Sequence, residues 1–139
     1  MKNLFVFTDG GARGNPGEAA VGVFIKDQDN KTILEVGKRI GFSTNNSAEY
    51  MAVLEALDFL INRKDGIKDS TINFFLDSEL VCSQITGIYK VKNNDLKKLL
   101  FEISKKEAQL ETPITYKHIR REDNKKADNL VNLALDNML

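Results

Sequence analysis

The sequence predicts an α/β fold, a mixed sheet flanked by helices, and three observations lead there. Residues 3 to 9 (NLFVFTD) and 71 to 77 (TINFFLD) are both apolar strands that run directly into an acid. Between them lies a stretch whose apolar positions recur at spacings of three and four, the pattern of a helix that can cross from one parallel strand to another. Two further strand-like runs precede that helix and are joined by a polar turn, which makes an antiparallel meander with the first strand.

In chain order, Leu4, Val6 and Thr8 alternate with Phe5, Phe7 and Asp9, and both faces are largely apolar, so this strand belongs in the middle of a covered sheet. The glycine-rich stretch TDGGARGNPG (8 to 17) is expected to turn the chain after Asp9. Its glycines would strip side chains from that turn and let a ligand approach the backbone. On these residues alone the stretch reads equally as a hairpin with a solvated acid.

Strands are expected at 19–26 and 32–40, joined by the turn DQDNK, followed by a loop, GFSTNN, at 41–46. The next helix carries Ala52, Val53, Ala56, Leu57, Leu60 and Ile61 on one face, and Glu49 extends that stripe backwards. The helix dipole explains an acid near the N-terminus, but not an acid on the buried face. After the strand at 71–76, Ser78 caps a short helix that ends at Gly87, and a second helix runs over 95–110 with Leu96, Leu99, Leu100, Ile103 and Ala108 inward. The last strand is ITYKHI (114–119), then the charged loop RREDNKK, then a helix with Ala127, Leu130, Val131, Ala134, Leu135 and Met138 on one face and Asp128 in its first turn.

Composition sets the outer limits. The 139 residues form one domain (1–139), long enough to bury a core without disulfides. A hydrophobic fraction of 42% and a charged fraction of 29% describe a water-soluble chain, with no apolar run of membrane-spanning length. Asp9 interrupts the first apolar run too early for a signal peptide, so the expected location is the cytoplasm, and nothing points beyond a monomer. Cys82 is the only cysteine and reads as a packing residue. The net charge is zero, yet residues 80 to 139 carry eleven Lys+Arg against eight Asp+Glu, while residues 1 to 79 carry nine against twelve.

Asp9, Glu49, Asp77 and Asp128 therefore stand at element ends that can meet. Four like charges cluster only when a cation neutralises them. Oxygen ligands without cysteine select hard ions, Mg²⁺ first and Mn²⁺ second. Such clusters serve phosphodiester hydrolysis, where paired ions lie about 3.5 to 4 Å apart.

Four motifs, TDGGARGNPG (8–17), TNNSAEYMA (44–52), DSELV (77–81) and REDNKKAD (121–128), occur in an order and at spacings by which the chain resembles type 1 ribonuclease H over nearly its whole length. The resemblance implies a ribonuclease H-like fold, a five-stranded mixed sheet of order 3-2-1-4-5. It implies endonucleolytic cleavage of the RNA strand of an RNA/DNA hybrid, with two Mg²⁺ ions (Mn²⁺ as substitute) bound together with substrate. Products would carry 5′-phosphate and 3′-hydroxyl ends. Asp9, Glu49, Asp77 and Asp128 fall on the family's catalytic, metal-binding positions, and Glu49 on the position beside the RNA 2′-hydroxyl. Gly11, Ala12, Asn15, Asn46 and Glu79 fall on substrate-binding positions, and recognition would be by the shape of the minor groove.

The chain departs from the family's pattern in three ways. Glu79 stands where many members have glutamine, and an acid there either repels phosphate or adds to the metal-binding acids. The basic, tryptophan-containing protrusion of some members is replaced by IYKVKNND, so hybrid binding is expected to be weaker and supported by Lys90, Lys92, Lys97 and Lys98. His118, ten residues before Asp128, sits at the spacing of a mobile histidine that assists product release in some members, but it also falls within the strand ITYKHI. Arg120, Arg121, Lys125 and Lys126 read either as phosphate contacts or as a solvated face. The chain is expected to begin at its first strand, with no separate hybrid-binding domain ahead of it.

Other readings compete with the nuclease. One is a catalytically inactive hybrid-binding module of the same fold, which the presence of all four acids opposes. A phosphotransferase or ATPase would need the lysine of a phosphate loop, which TDGGARGNPG lacks. A resolvase-like or transposase-like enzyme would share the acids and act on DNA.

Overall fold

A computed structural model describes residues 2–139. Five strands, β1 (Lys2–Gly14), β2 (Gly17–Asp27), β3 (Thr32–Ser43), β4 (Ser70–Leu76) and β5 (Ile114–His118), form one sheet of order β3-β2-β1-β4-β5, as the resemblance implied. The meander β1–β2–β3 is antiparallel, and β4 and β5 run parallel to β1. In that register Thr8 lies opposite Leu76, so the residues that follow, Asp9 and Asp77, emerge at the same sheet edge.

Four α-helices flank the sheet: α1 (Asn45–Ile61), α2 (Glu79–Ile85), α3 (Asn94–Leu110) and α4 (Lys125–Leu135). The main core lies between α1, α3 and one sheet face, where Val6, Val23, Ile72, Phe74 and Leu76 meet Tyr50, Val53, Leu57 and Ile103. On the opposite face α4 covers β2, packing Val131 and Ala134 on Ala20. The covering of β1 is asymmetric, since Leu4 and Val6 are buried while Phe5 and Phe7 are half-buried; Phe7 stacks on Phe75, and Phe5–Phe75 and Phe7–Phe24 meet as tilted rings.

Four expectations are corrected. The glycine-rich stretch is not a turn: β1 continues to Gly14, pairs with β2 as far as Gly17, and leaves only Asn15–Pro16, a cis peptide, as the connection. A two-residue hairpin preserves more ladder bonds than a wide loop would. The expected loop at 41–46 is divided between β3 and α1, with only Thr44 between them. The inward stripe of α3 omits Ala108, which is exposed, because the helical step from Ile103 falls on Glu107 and Leu110; α4 ends at Leu135 and leaves Met138 69% exposed.

Thr44 sets where α1 starts, and hence where Glu49 stands. Its side chain accepts from the Ser47 N–H at 3.1 Å. Replacing such a cap costs about 1 kcal/mol. Thr44→Ala is therefore expected to lower stability by about that amount in a denaturant titration, with the fold unchanged.

Candidate active site

Three acids come together where β4 ends beside Thr8, the residue before Asp9 in β1. One carboxylate oxygen from each of Asp9, Glu49 and Asp77 lies within 4.8 Å of the others. Asp9 and Glu49 are each only 7% exposed, and Asp77 is half-buried. Glu49 reaches the edge because α1 packs directly on β1: a Cβ added at Gly10 would lie 2.2 Å from the Ala48 carbonyl oxygen. Gly10 thus permits a helix to approach a strand closely, and its contact is with the protein rather than with a ligand. Gly11 differs, since a Cβ there would meet only Val131 Cγ1, at 3.8 Å, and its surface faces the cavity.

Asp128 enters from the other face. It is not among the three clustered acids, but it lines the same cavity of about 410 Å³. It sits 3.6 Å from the Arg121 guanidinium, with a side chain 31% exposed. The position of α4 again depends on a glycine, because a Cβ at Gly22 would lie 2.3 Å from the Ala127 carbonyl oxygen.

The electrostatics of the cluster are those of a site built for a cation. Burial, followed by the charge of Asp77, pushes the Asp9 carboxyl up to about 7. Burial and the neighbouring Asp9 hold Glu49 well above the usual carboxylate range, and the Gly10 backbone N–H only partly offsets them. Glu49 Oε2 is buried without a hydrogen-bond partner. An orphaned carboxylate oxygen in a cluster of acids fits a divalent ion in chemistry as well as in charge. Asp9, Glu49 and Asp77 are the residues that could hold one, with Asp128 at the rim.

Four of the five expected substrate-binding residues separate into two groups, and Glu79 stands apart from both. Gly11 and Ala12 line the acid cavity, whereas Asn15 and Asn46 line a neighbouring one of about 250 Å³, between the starts of α1 and α3. The Ala12 N–H is not free for a ligand, since it donates to Asn45 Oδ1 at 2.8 Å, and the Asn45 N–H donates to Asn15 Oδ1 at 3.0 Å. Asn45, which sequence reasoning passed over in favour of Asn46, therefore ties the β1–β2 hairpin to α1. Glu79 is exposed in the first turn of α2 and accepts from the Tyr89 hydroxyl at 3.4 Å.

His118 is exposed and is the last residue of β5, opposite Leu76. Of the four cations at 120–126, Arg120 pairs with Glu122 and Asp123, Arg121 with Asp128, and Lys126 with Glu35. Lys90, Lys92, Lys97 and Lys98 are all exposed. Asn124 was also passed over. It is 1% exposed and donates to Thr8 O and Asp77 Oδ2, and the hint available was its place inside REDNKKAD, four residues before Asp128.

Residues 7–134 match the family described as reverse transcriptase-like. A bifunctional protein of Mycobacterium tuberculosis is 39% identical over 96% of this chain, and this chain spans 35% of it. A ribonuclease HI of Halobacterium salinarum is 37% identical over 96% of this chain, with 64% of its own length covered. The chain thus spans about a third of the length of the first curated relatives it matches. An RNase H1 isolated from compost is 42% identical in sequence and superimposes with a TM-score of 0.94, covering 99% of this chain and 98% of that one; it has also been crystallised with an RNA/DNA hybrid.

Proposed function

We infer that this chain, which belongs to the type 1 ribonuclease H family, hydrolyses the RNA strand of RNA/DNA hybrids as a metal-dependent endoribonuclease and leaves 5′-phosphate and 3′-hydroxyl ends. The observation that carries the reading is the convergence of Asp9, Glu49 and Asp77 to within 4.8 Å, with Asp128 beside them. When bound, two divalent ions, Mg²⁺ by preference, supply the Lewis acidity that phosphodiester hydrolysis requires.

The chain's own residues do the rest. Asp9 and Glu49 present carboxylates that burial and mutual repulsion keep poised for a cation. Asp77 and Asp128 complete the acidic edge, and Gly11 offers an open surface beside it. Asn15 and Asn46, in the adjoining cavity, would meet the hybrid's sugar–phosphate backbone, a shape-reading role suited to a wide minor groove that displays 2′-hydroxyls. Glu49 would stand beside the ribose 2′-hydroxyl, Glu79 would contact the substrate from α2, and His118 would assist product release from the end of β5.

The four acids belong to one chain, so a monomer suffices. A cytoplasmic setting completes the reading: Cys82 is a free, buried thiol, in keeping with a reducing compartment. Among the described residues, no helix is long and apolar enough to cross a membrane.

The test is a substrate panel of labelled RNA/DNA hybrid, double-stranded RNA and double-stranded DNA with Mg²⁺. Cleavage of the RNA strand of the hybrid, lost on chelation, is the expected result. Cleavage of duplex DNA alone would assign a resolvase-like enzyme instead, and binding of the hybrid without cleavage of any duplex would leave an inactive module. Binding should weaken steeply with salt. Replacing Lys97 and Lys98 by alanine should flatten the slope of log affinity against log salt by about 1 for each phosphate that the variant no longer neutralises.

A further inference from the structure

We propose that Asn124 is a positioning residue for the acid cluster, one that orients the Asp77 carboxylate and fastens the start of α4, with Asp128, to β1 at Thr8. The inference rests on reading Asp9, Glu49 and Asp77 as a metal site. Asn124 stands just before α4 and is 1% exposed. Its single amide nitrogen donates twice, to the Thr8 carbonyl at 2.9 Å and to Asp77 Oδ2 at 3.0 Å. Its backbone carbonyl accepts from the Asp128 N–H at 3.1 Å.

One residue is thereby bonded to the peptide that precedes Asp9, to Asp77 itself and to the backbone of Asp128. The Thr8 carbonyl and the Asp77 carboxylate both accept and so demand a donor, and a primary amide is a short, neutral group that supplies two N–H bonds from one atom. Aspartate would set an acceptor against two acceptors. Serine would satisfy one of them, and a hydrocarbon neither.

The other end of the side chain indicates what the residue is for. Asn124 Oδ1 is buried without a hydrogen-bond partner, which costs stability. A residue present only to start a helix could keep its oxygen in solvent or bond it to the first turn. Here the amide is turned inward to the acids and its oxygen is left unpaired. Bonding to Oδ2 restrains the rotation of the Asp77 carboxylate, as groups that bond to a metal's ligands generally do.

The experiment compares wild type with Asn124→Ala and Asn124→Ser. Binding of Mg²⁺ and of Mn²⁺ to the substrate-free protein is measured by calorimetry, alongside melting temperature and the kcat and KM for hybrid cleavage. We expect ion affinity to fall about 10-fold to 100-fold in Asn124→Ala and less in Asn124→Ser, with kcat reduced and KM for the hybrid unchanged, because Asn124 lies beneath the site and does not touch substrate. Ile72→Val, a core substitution away from the acids, should lower the melting temperature while leaving ion affinity at the wild-type value.

If either Asn124 variant melts earlier but binds ions as wild type does, Asn124 is a structural residue and the inference falls. If wild type itself binds neither ion, the metal-site reading falls, and the inference with it. Asn124→Ser retains a hydroxyl donor, and it decides by the same comparison should Asn124→Ala fail to fold.

Discussion

Asp9→Asn is expected to reduce hybrid cleavage on the order of a thousandfold or more, the equivalent of about 4 kcal/mol of transition-state stabilisation, while the metal-free protein becomes more stable. Both effects have one origin. Asp9 is 7% exposed and shares a cluster with two other carboxylates, so in the absence of a cation its charge is unfavourable. The amide has nearly the same shape and no charge, and Asp9 packs where β1, α1 and the cavity meet. Chemistry needs the charge that folding would do without. Steady-state cleavage of a labelled hybrid and thermal melting in chelator are the two measurements. Cleavage within about tenfold of wild type would remove Asp9 from the catalytic machinery. A lower melting temperature in chelator would mean that the carboxylate is structural.

Three of the four acids were legible in the sequence because each breaks a local rule. Asp9 and Asp77 directly follow apolar runs, and Glu49 occupies the buried stripe of a helix, so periodicity alone raised the question of what neutralises them. The strand order came from the resemblance to a family, since hydrophobic patterning says which face of a strand is buried but not which strand lies beside it. What could not be read has a common cause. Gly10 looked like part of a phosphate-cradling turn, yet its lack of a side chain is required by the backbone of Ala48, a partner 38 positions further along the chain. Asn45 and Asn124 are surface-type residues by composition, and their roles exist only once β1, β4, α1 and α4 have been brought together. The basic loop at 120–126 looked equally suited to phosphate and to solvent, and three of its four cations prove to be paired within the protein. Asp128 illustrates the middle case: its helix and turn were predictable, but its place beside Asp9 depends on the close packing of α4 on the sheet that Gly22 permits.

The same electrostatics make the stability of the metal-free protein depend on pH, with a sign that is open to test. Asp9 has an ordinary value of 3.8 and is pushed up to about 7 in the folded state. Below the lower value it is protonated in both folded and unfolded chains and imposes no penalty. As pH rises towards 7 the unfolded chain releases this proton while the folded chain retains it, so folding takes up a proton and stability falls; the loss is complete once pH exceeds the folded value. A shift of this size corresponds to about 4 kcal/mol, and Glu49, raised for similar reasons, acts in the same direction. In chelator the protein should therefore be more stable at about pH 5 than at about pH 8, and saturating Mg²⁺ should restore most of the difference at the higher pH by binding only the folded state. Asp9→Asn isolates the effect from every other titrating group: it removes one acid and relieves Glu49 of a neighbour's charge, so its stability in chelator should vary much less over that range. Parallel slopes of stability against pH for wild type and Asp9→Asn in urea titrations would show that the buried pair does not store the repulsion attributed to it, and would undercut the electrostatic case for a cation beside Asp9.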